Sequence, residues 1–347
     1  AERESMFKKL LLTLLISGLS TPVLAAGEPT TAVTHDFIAK YTDKNAYIKA
    51  GSALNNRICD EGFTLLKNED NFLPLEGVEK ISVFGKSSTS LVYGGGGSGS
   101  GRVNGETQID LQKSLTNAGF QINDALTSFY KDNSKSGSGR TNGNDGWKGI
   151  SQVTIGETPI EKYDATLKST FDEYNDAAIM VLSREGSEGC DVLTIDATDS
   201  VKYGSSEKHA LELSDNEQAL FDNLKEHFEH IIIVINSSNI FECEKFMEDD
   251  QVAGILWIGN PGDVGPMAVG RILSGEVNPS GRTVDTWARD FTLDPTFKNF
   301  SDNAQNNLLE YNGEEYYIPQ DTMLNADGTM TRSYGTKKEY HNLSNPM

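Results

Sequence analysis

Ile231-Ile232-Ile233-Val234-Ile235 is a run of five β-branched residues without a polar position, and Ile255-Leu256-Trp257-Ile258 is a second apolar run further along the chain. A strand with one wet face alternates apolar and polar residues. Continuous runs of this kind suit strands covered on both faces by helices. Ala177-Ala178-Ile179-Met180-Val181-Leu182 reads the same way, and Ile81-Ser82-Val83-Phe84 reads as an earlier strand. Helical patterns fall between them, at Ile109 to Asn117, Ile160 to Tyr174, Asp215 to His230, Cys243 to Asp249 and Val264 to Leu273. Phe120 to Asn123 reads as a short strand, Thr283 to Trp287 as a possible last strand, and Ala32 to Asp60 has helical character. This alternation predicts an α/β domain, doubly wound, with a mostly parallel sheet flanked by helices.

The 347 residues, 37% of them hydrophobic with 15 Phe and 12 Tyr, suffice for a sizeable core. A formal charge of −21 argues against nucleic acid or an anionic membrane as partner, because a polyanion meets repulsion over most of the surface. Neutral ligands such as sugars are compatible with it. Cys59, Cys190 and Cys243 lie far apart without C-x-x-C spacing, so neither a metal site nor a disulfide framework is expected. Lys8-Lys9, the apolar stretch Leu10 to Leu19 and the small residues near Ala25-Ala26 have the order of a secretory signal peptide, which predicts a secreted or periplasmic protein.

In such a sheet, ligands bind beyond the carboxyl ends of the strands. Four loops there are unusual. The first strand is followed by Tyr93-Gly94-Gly95-Gly96-Gly97-Ser98-Gly99-Ser100-Gly101-Arg102, and the run ending at Leu182 by Ser183-Arg184-Glu185-Gly186-Ser187-Glu188-Gly189-Cys190-Asp191. Asn236-Ser237-Ser238-Asn239 and Gly259-Asn260-Pro261-Gly262-Asp263 follow the next two strands. The acidic loop is a poor packing element and a good polar site, with a solvated turn as the alternative reading. Gly94, Gly96 and Gly99 satisfy G-x-G-x-x-G, but the strand is separated from the next helix, so no helix N-terminus meets a pyrophosphate. No cofactor is expected.

Cys59 to Asn68 with Leu73-Pro74-Leu75, Ile81 to Gly85, the Gly/Ser loop, Arg184 to Asp191, Leu213 to Gln218, and Gly275 to Arg282 with Thr286-Trp287 form an ordered series. From about Asn55 to Phe300 it resembles the α/β sandwich domain of glycoside hydrolase family 3, β-glucosidase-like members in particular. The resemblance implies retaining hydrolysis of a β-linked oligosaccharide or glucoside, with an Asp nucleophile from a (β/α)8 barrel and a Glu acid/base from this domain. It implies Glu188 as acid/base, with Glu185 as the competitor. Arg184 would orient a carboxylate or pair with Asp191, and Gly96, Gly97 and Ser98 would border the sugar.

On this reading residues 1–26 hold upstream residues and the signal peptide, 27–54 a lead-in, and 55–290 the sandwich domain with a flexible insertion at 132–149. Residues 291–347 read as a linker towards a barrel. No barrel-sized run and no Ser-Asp-Trp motif occurs in the sequence, which matches a reversed-order or truncated member carrying half an active site. The expected partner is therefore a (β/α)8 barrel from further or separate sequence, and the chain alone is expected to be inactive. The rival reading is a non-catalytic carbohydrate-binding module of the same fold.

Overall fold

The computed structural model describes residues 40–41, 43–95, 108–140, 155–186 and 208–293, and the backbone of 308–311, 314–317, 322–324 and 330–332. The chain divides into residues 1–51 and residues 52–347, and the architecture below belongs to the second unit. A helix, α1 (Lys44–Gly62), runs across that boundary.

The sheet is built from β1 (Thr64–Asn68), β2 (Lys80–Phe84), β3 (Gln121–Ile122), β4 (Ala177–Arg184), β5 (Ile231–Ser237) and β6 (Val252–Trp257), in the spatial order β1-β6-β5-β4-β2-β3. β2 to β6 are parallel, and β1 closes the β6 edge antiparallel. β4 and β5 run in register from Ala178 opposite Ile231 to Arg184 opposite Ser237, and every residue of both is buried. Side chains alternate across a strand, so one apolar run serves two cores. Ile231, Ile233 and Ile235 pack on one face with Met180, Leu182, Leu220 and Phe221. Ile232 and Val234 pack on the other with Ile179, Val181, Leu115 and Val269. The first face is covered by α3 (Asp124–Lys131), α6 (Asp215–His227) and α7 (Glu244–Met247), the second by α2 (Leu111–Asn117) and α8 (Met267–Leu273). Helices α2 and α8 cross closely at Gly270, where an added Cβ would lie 2.3 Å from the Ser114 carbonyl oxygen.

The doubly wound reading of the chain holds, with local departures that have physical causes. The helix expected over Ile160 to Tyr174 is broken into a turn at Ile160–Lys162, α5 (Ala165–Ser169) and a turn at Phe171–Glu173. Asp164 restarts the helix by accepting from the Leu167 amide at 2.8 Å. Thr283 to Trp287 forms no strand, and the edge of β6 is taken by β1; Trp287 meets Trp257 edge-on at 5.5 Å. The insertion expected to be flexible begins with an ordered turn, α4 (Asn133–Ser136), whose Ser136 is buried; its residues 141–149 lie outside the described set. Beyond 290, where a linker was expected, the backbone forms two antiparallel ladders. These pair β7 (Leu308–Tyr311) with β8 (Glu314–Tyr317), and β9 (Thr322–Leu324) with β10 (Met330–Arg332).

Candidate active site

Because β2, β4, β5 and β6 are parallel, their carboxyl ends share one edge of the sheet, and this edge is unusually polar inside. Asn236, fully buried near the end of β5, uses its whole amide there. Its Oδ1 accepts from the Val92 amide at 2.6 Å and the Ser183 hydroxyl at 3.0 Å, and its Nδ2 donates to the carbonyls of Val92 at 2.9 Å and Gly259 at 2.8 Å. One side chain thus ties the segment leading into the Gly-rich loop to the ends of β4 and β6. The Gly262 amide donates to the Tyr93 carbonyl at 2.7 Å and the Tyr93 hydroxyl to the Ile109 carbonyl at 3.1 Å, which closes the same rim.

Two ion pairs flank the exit of β4. Arg184 is paired with Glu217 at 2.7 Å, with side chains 3% and 2% exposed. All five guanidinium N–H groups have protein acceptors: the carbonyls of Ala210, Ser183 and Glu212 and both oxygens of Glu217. Arg184 was expected to orient a carboxylate or to pair with Asp191, which lies outside the described residues; the carboxylate it orients here is Glu217, and none of its N–H groups is left over for a sugar. Glu217 is held from its other side by a capping box. Its Oε2 accepts from the Ser214 amide at 2.9 Å while Ser214 Oγ accepts from the Glu217 amide at 3.3 Å. The next residue, Glu185, is paired with Arg140 at 2.9 Å, with side chains 10% and 9% exposed.

A third carboxyl lies beneath them. Glu157 is buried, and its oxygens accept from the Lys86 amide at 3.0 and 2.9 Å and the Thr158 amide at 2.8 Å. Burial first, and then the nearby charge of Glu217, push its carboxyl up to about 8, although the amide bonds pull the other way. The Lys86 ammonium turns away to the Tyr130 carbonyl, Asn133 Oδ1 at 2.9 Å and Ser136 Oγ at 2.7 Å; burial holds it below its usual value. That buried cation explains why the polar start of the insertion packs: it supplies the oxygens.

Glu188, Asp191, Gly96, Gly97 and Ser98, five of the residues singled out in the sequence, lie outside the described residues. Of the expected site residues the structure brings Arg184 and Glu185 to the rim. Sequence reasoning did not single out Asn236, Glu217, Arg140, Glu157 or Lys86 as individual site residues. Glu217 carries a local signal, since Ser214-Asp215-Asn216-Glu217 has capping-box spacing. Arg140 carries none, because its partner is 45 residues away. Among the described residues no group of three or more His, Cys, Asp or Glu side chains could hold a metal ion.

Comparison with known proteins agrees with this architecture. The family model of the glycosyl hydrolase family 3 C-terminal domain matches residues 63–325. Beta-glucosidase A of Butyrivibrio fibrisolvens is 28% identical over 269 residues, which are 74% of this chain and 31% of that protein. A beta-glucosidase of Ruminococcus albus is 29% identical over 258 residues, 74% of this chain and 25% of its own length. The chain therefore spans a quarter to a third of these relatives. Among solved structures, beta-glucosidase 3B of Thermotoga neapolitana superposes with a TM-score of 0.57 at 24% identity, over 75% of this chain and 33% of that one. A beta-glucosidase of Paenibacillus barengoltzii gives 0.55 at 24% identity, over 71% and 25%. These two likenesses concern the fold. With the family model matching most of its length, the chain belongs to glycosyl hydrolase family 3, as a C-terminal-type α/β sandwich domain of that family.

Proposed function

We propose that this chain is the acid/base-bearing domain of a retaining β-glycosidase acting on β-linked oligosaccharides or glucosides, with Glu188 as acid/base and the nucleophilic Asp on a (β/α)8 barrel. The observation that carries the reading is the pair of nearly dry ion pairs at Arg184 and Glu185, two consecutive residues immediately before Gly186-Ser187-Glu188. Buried charge of this kind is costly in a scaffold and useful under a site that must hold its geometry. In a retaining reaction one carboxylate attacks the anomeric carbon while the other, about 5 Å away, protonates the departing oxygen; that second group then takes a proton from the water that releases the sugar. Arg184 acts by fixing the end of β4, and Asn236 by fixing the root of the Gly-rich loop, whose Gly96, Gly97 and Ser98 border the sugar. The chain on its own holds one of the two carboxylates. Purified, it is expected to hydrolyse aryl β-glucosides no faster than buffer. Lys8 to Ala26 directs export, and N-terminal sequencing of secreted material checks cleavage near Ala25 or Ala26.

The test is Glu188→Gln in protein that includes the barrel. Loss of a general acid lowers turnover of substrates with poor leaving groups by about 10²- to 10⁴-fold. Activated aryl glycosides lose less in the glycosylation step, and added azide restores turnover by attacking the intermediate without base assistance. If Glu185→Gln shows the leaving-group dependence and azide rescue while Glu188→Gln stays near wild type, Glu185 is the acid/base and the assignment is wrong.

A further inference from the structure

We infer that Arg140, from the Gly/Ser-rich insertion, is a positioning residue of the site, holding together the roots of the two loops that face the sugar. This rests on the reading of Glu188 as acid/base. Arg140 Nε donates to Glu185 Oε2 at 2.9 Å, at the exit of β4, and its Nη1 donates to the Ser90 carbonyl at 3.1 Å, in the segment that runs into the Gly-rich loop. One guanidinium bridges both. Its orientation comes from the backbone rather than from chance contact. Gly139 and Gly156 cross so closely that a Cβ at Gly156 would lie 2.2 Å from the Gly139 carbonyl group and 2.7 Å from the Arg140 nitrogen, and both glycines have positive φ, +75° and +63°. The crossing is anchored on each side. The Thr158 hydroxyl donates to the Ser136 carbonyl at 2.9 Å, and the Lys86 ammonium draws in Asn133 and Ser136. The chain therefore reaches Arg140 from an ordered, partly buried turn, and the insertion enters the site as a strut.

The geometry separates this role from simple packing. Arg184 ends β4 and Glu185 follows it directly, yet each is held by an arginine–glutamate pair whose partner comes from a different segment, Arg140 from the insertion and Glu217 from α6. The Glu217 pair fixes the strand; the Arg140 pair fixes the first side chain beyond the strand and couples it to Ser90. Loss of that coupling leaves the fold intact and lets the two loop roots move apart. Misplacement of about 1 Å in a catalytic constellation costs on the order of 10²-fold in rate.

Three variants in protein that includes the barrel test this, with Glu188→Gln alongside. Arg140→Met keeps the apolar stem and removes the charge; kcat on a poor-leaving-group glucoside is expected to fall about 10- to 100-fold with KM changed far less. Arg140→Lys, which restores a cation beside Glu185, is expected to recover part of that loss. The double variant Arg140→Met/Glu185→Gln is expected to be no slower than the slower single variant. In the chain as it stands, amide exchange over residues 183–186 is expected to rise in Arg140→Met and to return towards wild type in Arg140→Lys. Equal behaviour of the Met and Lys variants in kinetics and exchange would overturn the inference, since packing alone would then explain the residue. Wild-type kinetics for Arg140→Met beside an impaired Glu188→Gln would also overturn it and leave the proposed function standing. A normal Glu188→Gln with raised exchange in Arg140→Met would instead remove the acid/base assignment while upholding the strut.

Discussion

The two ends of the parallel strands use similar charges in opposite ways. At the amino end, Asp176 accepts from the amides of Glu79 and Lys80 at 2.9 and 2.8 Å on an exposed surface, and Lys80 pairs with Glu173 at 3.2 Å with the side chains 36% and 64% exposed. At the carboxyl end, Arg184, Glu217, Arg140, Glu185, Glu157 and Lys86 are nearly or fully withdrawn from water. An exposed pair is worth little and is screened by salt, whereas a buried one stands or falls with its geometry. One end is a closure; the other is a framework.

The sharpest way to break this comparison is at the buried pair. Glu217→Gln leaves the Arg184 guanidinium without its counter-charge and weakens the α6 capping box, so a loss of about 3 to 5 kcal/mol is expected in denaturant unfolding. A loss no larger than that of a surface pair would show that the carboxyl end is not energetically distinct. A smaller effect concerns pH. Glu157 has a carboxyl raised from 4.5 to about 8, so the folded chain keeps a proton that the unfolded chain has released. Its contribution to stability is fully present below about pH 4.5, declines by roughly 1.4 kcal/mol per pH unit as pH rises, and levels off above about 8. Glu157→Gln should flatten that decline when unfolding is measured at pH 5, 6.5 and 8; parallel slopes for variant and wild type would count against the raised value. The smallest effect belongs to the amino end. Lys80→Gln is expected to change stability by less than about 1 kcal/mol and to leave no salt-dependent signature at high ionic strength.

The same contrast governs what could be read in the amino-acid sequence. Ile231 to Ile235 and Ala177 to Leu182 declare buried parallel strands because burial on two faces erases alternation, and that logic needs no knowledge of partners. β1 escapes it: this outer strand, Thr64–Asn68, contains Lys67, whose ammonium is buried against the carbonyls of Phe246, Met247 and Asp249, and the charge interrupts the apolar run that would announce a strand. The ladder of β7 and β8 has a local signal, since Asn312-Gly313 between the two runs is a hairpin-favouring dipeptide. Of the rim, Arg184 and Glu185 stand out locally and Glu217 has its capping-box spacing, yet Arg140, which holds Glu185, is placed by a tertiary crossing of Gly139 and Gly156. No spacing in the sequence reports it.

The outer strands of the sheet carry one more consequence, for the company this chain can keep. A row of unpaired amides along a sheet margin is a template on which another copy can grow. Here one margin ends in β3, two residues long, too short to recruit a neighbour. The other ends in β1, whose pairing slips between Leu65 and Lys67 and whose lysine points inward. A bulge and an inward charge are both devices that discourage such growth. The fold thus resists fibre-like stacking of its sheets by construction, whatever surface its faces and loops present to other domains.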